Sequence, residues 1–533
     1  MEKRTKTVYV NSIVALISQI CQVLIGFIIR KLFINYLGVE YLGYNSVFSN
    51  ILQMLNLADL GIGVAITSYL YKPLADNNKD RIVAIMYIYK KLYLAIGVMV
   101  LIVGVIVSIF LNTIIPDANC SIEYLMVLFY INLVGTVSTY FLAYKRTLLI
   151  ADQKSYLTNI TDTIIYFVFS FIQLILLIIA PNYIIFLSLN IAKNISSNII
   201  VSRKVNKEYK YIIAKPNTNF VDEYKPKIVQ YVKDAFVSKI GAVIYYSTDN
   251  IIISTLKGSL LAGYLSNYTL ITGQLNTVVT QVLSSLQATF GNYISTTKDK
   301  NDRLKMTDNY FCVNFCIGNF CMICFSLLAQ PFIKLFFGER MLLSFSTALW
   351  LGINLMLTFL IQLPSQVFVI YKLFRYDRPI IITSAVLNIL ISIALVNKLG
   401  INGVLIGTFI TSLIYLFSRF YIIARYVYKI KYNYYVKKIL YYAIISCFTF
   451  IISYFVSENI SGGDFIWFII KIILVVLLAL FLTSFFLSFS REFEFLKNKL
   501  LPTNIRRYVN KYTVGIGSVF VIGISILLSI LCI

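Results

Sequence analysis

The feature that most constrains this chain is a succession of apolar runs, each about 20 residues or longer, separated by short polar connections. As a helix rising ~1.5 Å per residue, such a run crosses the ~30 Å hydrocarbon core of a bilayer. In lipid every backbone N–H and C=O must be satisfied internally, which leaves helices or a closed barrel. Barrel strands alternate lipid-facing and lumen-facing residues, whereas these runs are continuous, so the expected class is an all-α polytopic membrane protein. Fifteen runs can be read, including 8–36, 41–71, 228–256, 260–296, 401–425 and a last one at 513–533. They give 14–15 transmembrane helices, depending on whether the last run crosses or lies along the surface. Composition agrees: 59% of the 533 residues are hydrophobic and 13% charged, too little charge for a soluble chain of this length. Met1 to Thr7 forms a short basic start that leads into a run too long for a cleavable signal.

The net charge of +24, from 47 basic and 23 acidic residues, first suggests nucleic acid. Its distribution argues otherwise. Lys and Arg collect in every second connection, as at Lys72/Lys79/Arg81, Arg203 to Lys227 and Lys372/Arg375/Arg378, while Pro116 to Ser121, Pro181–Asn182 and Lys398–Gly400 are nearly bare. This is the positive-inside pattern, which places the N-terminus and the basic loops in the cytoplasm and leaves no call for a nucleic-acid partner.

Two halves can be read. Gly38-Val-Glu-Tyr-Leu-Gly43-Tyr44 follows the first run, and Gly258-Ser-Leu-Leu-Ala-Gly263-Tyr264 follows the seventh; both read G-x-x-x-x-G-Y. Six helices lie between equivalent points, so the repeats share a topology and are parallel, an arrangement in which transporters often bind substrate between repeats. The expected organisation is a six-helix lobe over 1–206, a cytoplasmic linker over 207–227, a second six-helix lobe over 228–430, and additional C-terminal helices over 431–533.

Polar residues inside apolar runs are costly and mark an interior or a hydrated path. Gln19, Gln22, Gly26 and Arg30 share one face of the first run. Asn45, Ser49, Gln53, Asn56 and Asp59 line the second, and Asn190, Lys193, Asn194 and Ser197 line the sixth, with Lys193 near mid-bilayer. Helix-to-helix hydrogen bonding accounts for most of the Asn, Gln and Ser. It accounts less well for Arg30, Lys193 and Asp249, whose charge at depth needs a partner or water. Arg30, Lys193, Gln22, Asn45, Gln53 and Asn190 are therefore the candidate substrate-binding residues, and an anionic group suits them. Asp59 and Asp249 are candidates for charge balance or for a coupling ion. Arg30 paired with Asp59 or Asp249 is the structural alternative. The chain has no His, which removes most acid–base and nucleophilic arrangements. Cys312, Cys316, Cys321 and Cys324 cluster in one apolar run and read as packing rather than as a metal site. No cofactor is expected.

Several stretches carry a family resemblance. Leu55-Asn-Leu-Ala-Asp59-Leu-Gly61-Ile-Gly63 with Tyr71-Lys-Pro-Leu-Ala75 resembles the start of bacterial polysaccharide-repeat flippases, the Wzx-like members of the multidrug/oligosaccharidyl-lipid/polysaccharide (MOP) exporter superfamily. So do Thr248-Asp249-Asn250-Ile-Ile-Ile with Gly263-Tyr264-Leu-Ser-Asn267, and Leu399-Gly400-Ile-Asn-Gly403. The resemblance covers roughly residues 5–430. It implies two pseudo-symmetric six-helix lobes around a central cavity, with additional C-terminal helices. It implies an undecaprenyl-pyrophosphate-linked oligosaccharide as substrate, moved across the bacterial cytoplasmic membrane by alternating access, with Arg30 in the zone where related flippases hold the pyrophosphate. Membrane lipids, a polysaccharide polymerase and glycosyltransferases are the further partners it suggests. A multidrug/cation antiporter of the same superfamily would share the architecture but favour carboxylates in the cavity. A membrane glycosyltransferase or polymerase would need an active site on a sizeable outward loop, and the outward connections here are a few residues long.

Overall fold

A computed structural model describes residues 2–492 apart from 57–58, 153, 372, 460–464, 489 and 491. The expected final run at 513–533, and nearly all of the basic stretch before it, lie outside the described residues. The described chain is helical throughout. Ten of its helices are long and apolar enough to cross a membrane, so this is a multi-pass membrane protein.

The chain divides into two compact units, Met1–Gly263 and Tyr264–Ile533. The first holds α1 (Glu2–Leu37), α2 (Val39–Leu55), α3 (Asp59–Ala75), α4 (Lys79–Ser108), a single turn α5 (Leu111–Ile114), α6 (Ile122–Ala151), α7 (Ser155–Ile179), α8 (Tyr183–Glu208), α9 (Thr218–Ser247) and α10 (Asp249–Lys257). Helix α11 (Ser259–Thr296) starts in the first unit and continues in the second. The second unit then holds α12 (Lys300–Phe337), α13 (Phe345–Ile370), α14 (Phe374–Leu399), α15 (Ile401–Ile422), α16 (Asn433–Glu458) and α17 (Phe465–Leu487).

Local chemistry sets the boundaries. Asn78, Ser121, Asn182 and Ser344 stand before helices and accept hydrogen bonds from first-turn amides, replacing partners those amides lack. Glycines with positive φ end four helices: Gly38 (93°), Gly258 (99°), Gly338 (96°) and Gly400 (58°). The backbone needs glycine there because a Cβ penalises that region. Gly38 and Gly258, the first glycines of the two repeats, also have similar ψ (169° and 151°), so the sequence repeat is a backbone repeat.

Two runs read as continuous are broken. The run at 41–71 is α2 and α3, with the turn at Asn56, whose side-chain oxygen takes the Tyr140 hydroxyl of α6 at 2.5 Å. The run at 228–256 is α9 and α10, interrupted at Thr248. Hydropathy averaged over a span does not register such breaks because each is short and flanked by apolar residues.

Within the first unit α1 packs on α7, α6 on α8, and α4 on α6 and α9. Tyr89, Phe48 and Phe129 are fully buried there, the last two in edge contact at 5.4 Å. The repeats meet directly. A Cβ on Gly43 would intrude on the Ser259 carbonyl, and one on Gly263 would come within 2.9 Å of the Val39 carbonyl. At the same bare end, Asp117 accepts from the Ser259 amide at 2.9–3.0 Å and from its hydroxyl at 3.2 Å, capping α11. Ser254 donates to the Ile114 carbonyl at 3.0 Å.

In the second unit the core lies between α12, α13, α15, α16 and α17, with Phe315 stacked on Tyr442 at 4.2 Å. Cys312, Cys316 and Cys321 are buried in α12, and no group of three metal-ligating side chains occurs among the described residues.

Candidate functional site

Helix α7 is apolar outside and polar inside. Ile164, Phe167, Val168, Phe171, Ile175 and Ile178 are exposed, as lipid-facing residues are. Asp162, Thr163, Tyr166, Ser170 and Gln173 recur at spacings of one, three and four, which makes one face, directed at α1 and α8. Tyr166 is the hub of that face. Its hydroxyl donates to the Gln22 carbonyl of α1 at 3.1 Å, and Gly26, one turn on, leaves room for it. Gln22 makes a long 3.5 Å contact with the Thr163 hydroxyl. The Lys193 ammonium of α8 stands 4.9 Å over the Tyr166 ring and donates to Asn190 Oδ1 at 3.1 Å. The same oxygen accepts from Gln173 at 3.0 Å, and Gln173 also donates to the Phe186 carbonyl at 3.3 Å.

Three of the six expected binding residues, Gln22, Asn190 and Lys193, are thus brought together. The described contacts of Lys193 are to neutral groups: an amide oxygen and a ring face. An ammonium has three donors, and one is spent here. Arg30 lies eight residues, ~12 Å, along α1 from Gln22 and is half-buried. Asn45 is half-buried and Gln53 exposed, both on α2. Asp249 is half-buried at the first turn of α10. Asp59 begins α3, and its side chain lies outside the described residues.

Further toward the basic end the seam closes in an ion pair. Arg146 of α6 grips Asp162 with both terminal nitrogens at 2.7 Å, and it donates to Asn198 at 2.8 Å and Ser197 at 2.6 Å. Ser197 also bonds Asp162. Lys145, next in α6, holds Ser202 and Asn206 at 2.9 and 2.8 Å. Sequence reading missed Tyr166, Gln173, Asp162 and Arg146. The polar spacing on α7 was the available signal; it sits in a run so apolar overall that it reads as a plain span.

The second unit contains a chemically matching cluster. Arg419 of α15 grips Asp377 of α14 at 2.9 and 2.7 Å, bonds Ser365 of α13, and lies 4.1 Å from the Tyr415 ring. In both units three successive long helices supply a guanidinium, a carboxylate and a hydroxyl, and the carboxylate is on the middle one. The other two have traded places: arginine comes first and serine last on α6–α8, serine first and arginine last on α13–α15.

Solved structures share this fold. A lipid II flippase MurJ in an inward closed conformation matches with a TM-score of 0.65 at 16% identity, covering 89% of this chain and 99% of that one. An inward-facing multidrug resistance MATE family transporter of the MOP superfamily matches with a TM-score of 0.61 at 16% identity, covering 78% and 98%. An outward-facing one matches with a TM-score of 0.53 at 15% identity, covering 78% and 93%. No curated protein sequence matches the chain. The fold is therefore that of the MATE and MurJ transporters, as expected from the sequence. Residues 8–290, more than half of the chain, match the polysaccharide biosynthesis protein family, and the chain belongs to that family.

Proposed function

We propose that the protein is a flippase that translocates an undecaprenyl-pyrophosphate-linked oligosaccharide across the cytoplasmic membrane by alternating access. Its basic loops then face the cytoplasm. The observation that carries this reading is Lys193: a cation near mid-bilayer whose described partners are neutral, on a polar seam among Gln22, Tyr166, Gln173 and Asn190. Sugars and pyrophosphate cannot enter hydrocarbon unaided, because unpaired polar groups and charge cost several kcal/mol or more each. A seam of amides and hydroxyls replaces water for the sugars, and Lys193 with Arg30 supplies positive charge for the pyrophosphate. Asn45 and Gln53 on α2 extend the set, and Asp59 and Asp249 balance charge or bind a coupling ion. The family match and the structural likeness to a protein described as a lipid II flippase support a lipid-linked cargo. The polyprenyl tail stays in the bilayer throughout.

The test compares Lys193→Met, Lys193→Arg and Arg30→Ala in cells lacking the native copy. A charge-assisted contact is worth about 1.5–3 kcal/mol, so Lys193→Met should slow export roughly 10- to 100-fold, with lipid-linked oligosaccharide accumulating in the inner leaflet. Lys193→Arg should retain much of it. Normal export in Lys193→Met, with the protein present in the membrane, would sink the assignment. Unchanged polysaccharide alongside lost resistance to cationic drugs would instead make the protein a multidrug antiporter.

A further inference from the structure

On the outer face of the second unit, a groove of about 870 Å³ runs between α14 and α15 at their basic ends. Its floor is apolar: Pro379, Ile380, Ile410, Leu413, Ile414 and Phe417. Its mouth is basic and aromatic, with Arg375, Tyr376, Tyr421, Tyr426 and Tyr432. A short π-helix, Ile423–Tyr428, follows α15 and ends at Lys429, whose φ is +46°. It carries Arg425 and Tyr426 to the rim, and one-turn π segments often mark functional positions. Arg425 is held by the Tyr421 hydroxyl at 2.7 Å and lies 5.6 Å from the Tyr426 ring, which stacks on Tyr376 at 4.7 Å.

We infer that this groove binds one anionic glycerophospholipid of the leaflet at the basic ends of the helices, its phosphate between Arg375 and Arg425 and an acyl chain along Ile380, Leu413 and Ile414. Charge complementarity is the first ground. Between residues 374 and 432 the single acidic side chain is Asp377, and both its oxygens are taken by Arg419. Arg375, Arg425, Lys429 and Lys431 are exposed around the rim. Clustered Lys and Arg at the membrane surface attract anionic lipid, and tyrosines with an apolar body and a polar tip belong at that level. Depth is the second ground. Tyr421 to Ile410 spans eleven residues, ~16 Å of helix, about half the ~30 Å hydrocarbon core. That is the reach of one leaflet's lipid. Third, Ile382, Val386, Leu390 and Ile393 along α14 are exposed, so the groove adjoins a lipid-facing surface. The inference does not depend on which substrate is transported.

The test is native mass spectrometry of the purified full chain with palmitoyl-oleoyl phosphatidylglycerol or phosphatidylcholine at equal concentration. Phosphatidylglycerol should be retained about tenfold better. Arg375→Ala with Arg425→Ala should abolish that preference, and the corresponding double Lys variant should keep it. Ile414→Trp should fill the groove and remove the bound lipid while both arginines remain. Equal retention of the two lipids, or a preference that survives the double Ala variant, overturns the proposal. So does undecaprenyl phosphate at equal concentration displacing phosphatidylglycerol from the wild type, or a dimer of the chain that Ile414→Trp dissolves.

Discussion

Breaking the Arg419–Asp377 pair should damage the protein far more than removing it altogether. The arginine and carboxylate side chains are 5% and 12% exposed, joined at 2.9 and 2.7 Å, with Ser365 and the Tyr415 ring completing the guanidinium's surroundings. Arg419→Ala strands a buried carboxylate, and the expected cost is about 3–5 kcal/mol. At ~1.4 kcal/mol per decade that is two to three and a half powers of ten in the folded population. Arg419→Met combined with Asp377→Leu leaves no stranded charge and fills similar volume, so it should return to within about 1 kcal/mol of the wild type. The Arg146–Asp162 pair has the same bidentate geometry, but its side chains are 20% and 37% exposed. Water screens it and solvates whichever partner remains, so Arg146→Ala should cost only about 1 kcal/mol. The assay is denaturant or thermal unfolding of purified protein in one detergent, followed by tryptophan fluorescence and by monodispersity. A double variant no better than Arg419→Ala, or an Arg146→Ala loss equal to that of Arg419→Ala, would refute burial as the cause of the difference.

Three further outcomes follow. Gly43→Val places a branched side chain against the Ser259 carbonyl and should destabilise by about 1–3 kcal/mol, whereas Gly273→Ala, with nothing within 4 Å of the new atom, should be neutral or gain up to ~1 kcal/mol in helix propensity; equal yields and melting behaviour would dismiss the close approach. Asp117→Ala removes the cap on α11 at a cost of about 1 kcal/mol, so hydrogen exchange of amides 259–262 should accelerate about fivefold, and unchanged exchange would mean the cap contributes nothing. Tyr166→Phe keeps the ring beneath Lys193 and should retain most transport, while Tyr166→Leu loses a cation–π contact of about 0.5–2 kcal/mol and should slow it severalfold; indistinguishable variants would remove Tyr166 from the site.

Much of the fold was legible because bilayer physics leaves few choices. Run length gave the helices, and Gly38 and Gly258 marked equivalent turns whose backbone angles now agree. The breaks near Asn56 and at Thr248 escaped because long apolar stretches flank them on both sides, although Ser247, Thr248, Asp249 and Asn250 are all polar. Of the candidate residues, Gln22, Asn190 and Lys193 were legible as polar groups in apolar runs, and the structure brings these three to one seam. It was not legible on α7, where Asp162 and Tyr166 are diluted by an exposed apolar face that belongs to lipid. In a soluble helix the polar stripe faces water and the apolar one the core. Here the two are inverted, and a reading that searches for the apolar stripe looks past the polar one.

The traded arginine and serine give the two three-helix groups the same chemistry in a different chain order. Each triad holds one guanidinium, one carboxylate and one hydroxyl within reach of each other across three helices. Position-by-position comparison sees two mismatches there. The triads also sort the charges within the spans. Arg146 and Arg419 are each paired with a carboxylate. Lys193 has only an amide oxygen and a ring among its described partners, so packing alone does not account for its charge. On the function proposed above, that ammonium at mid-span on a polar seam is the charge a pyrophosphate would meet, whereas Arg146 and Arg419 are each matched to a carboxylate.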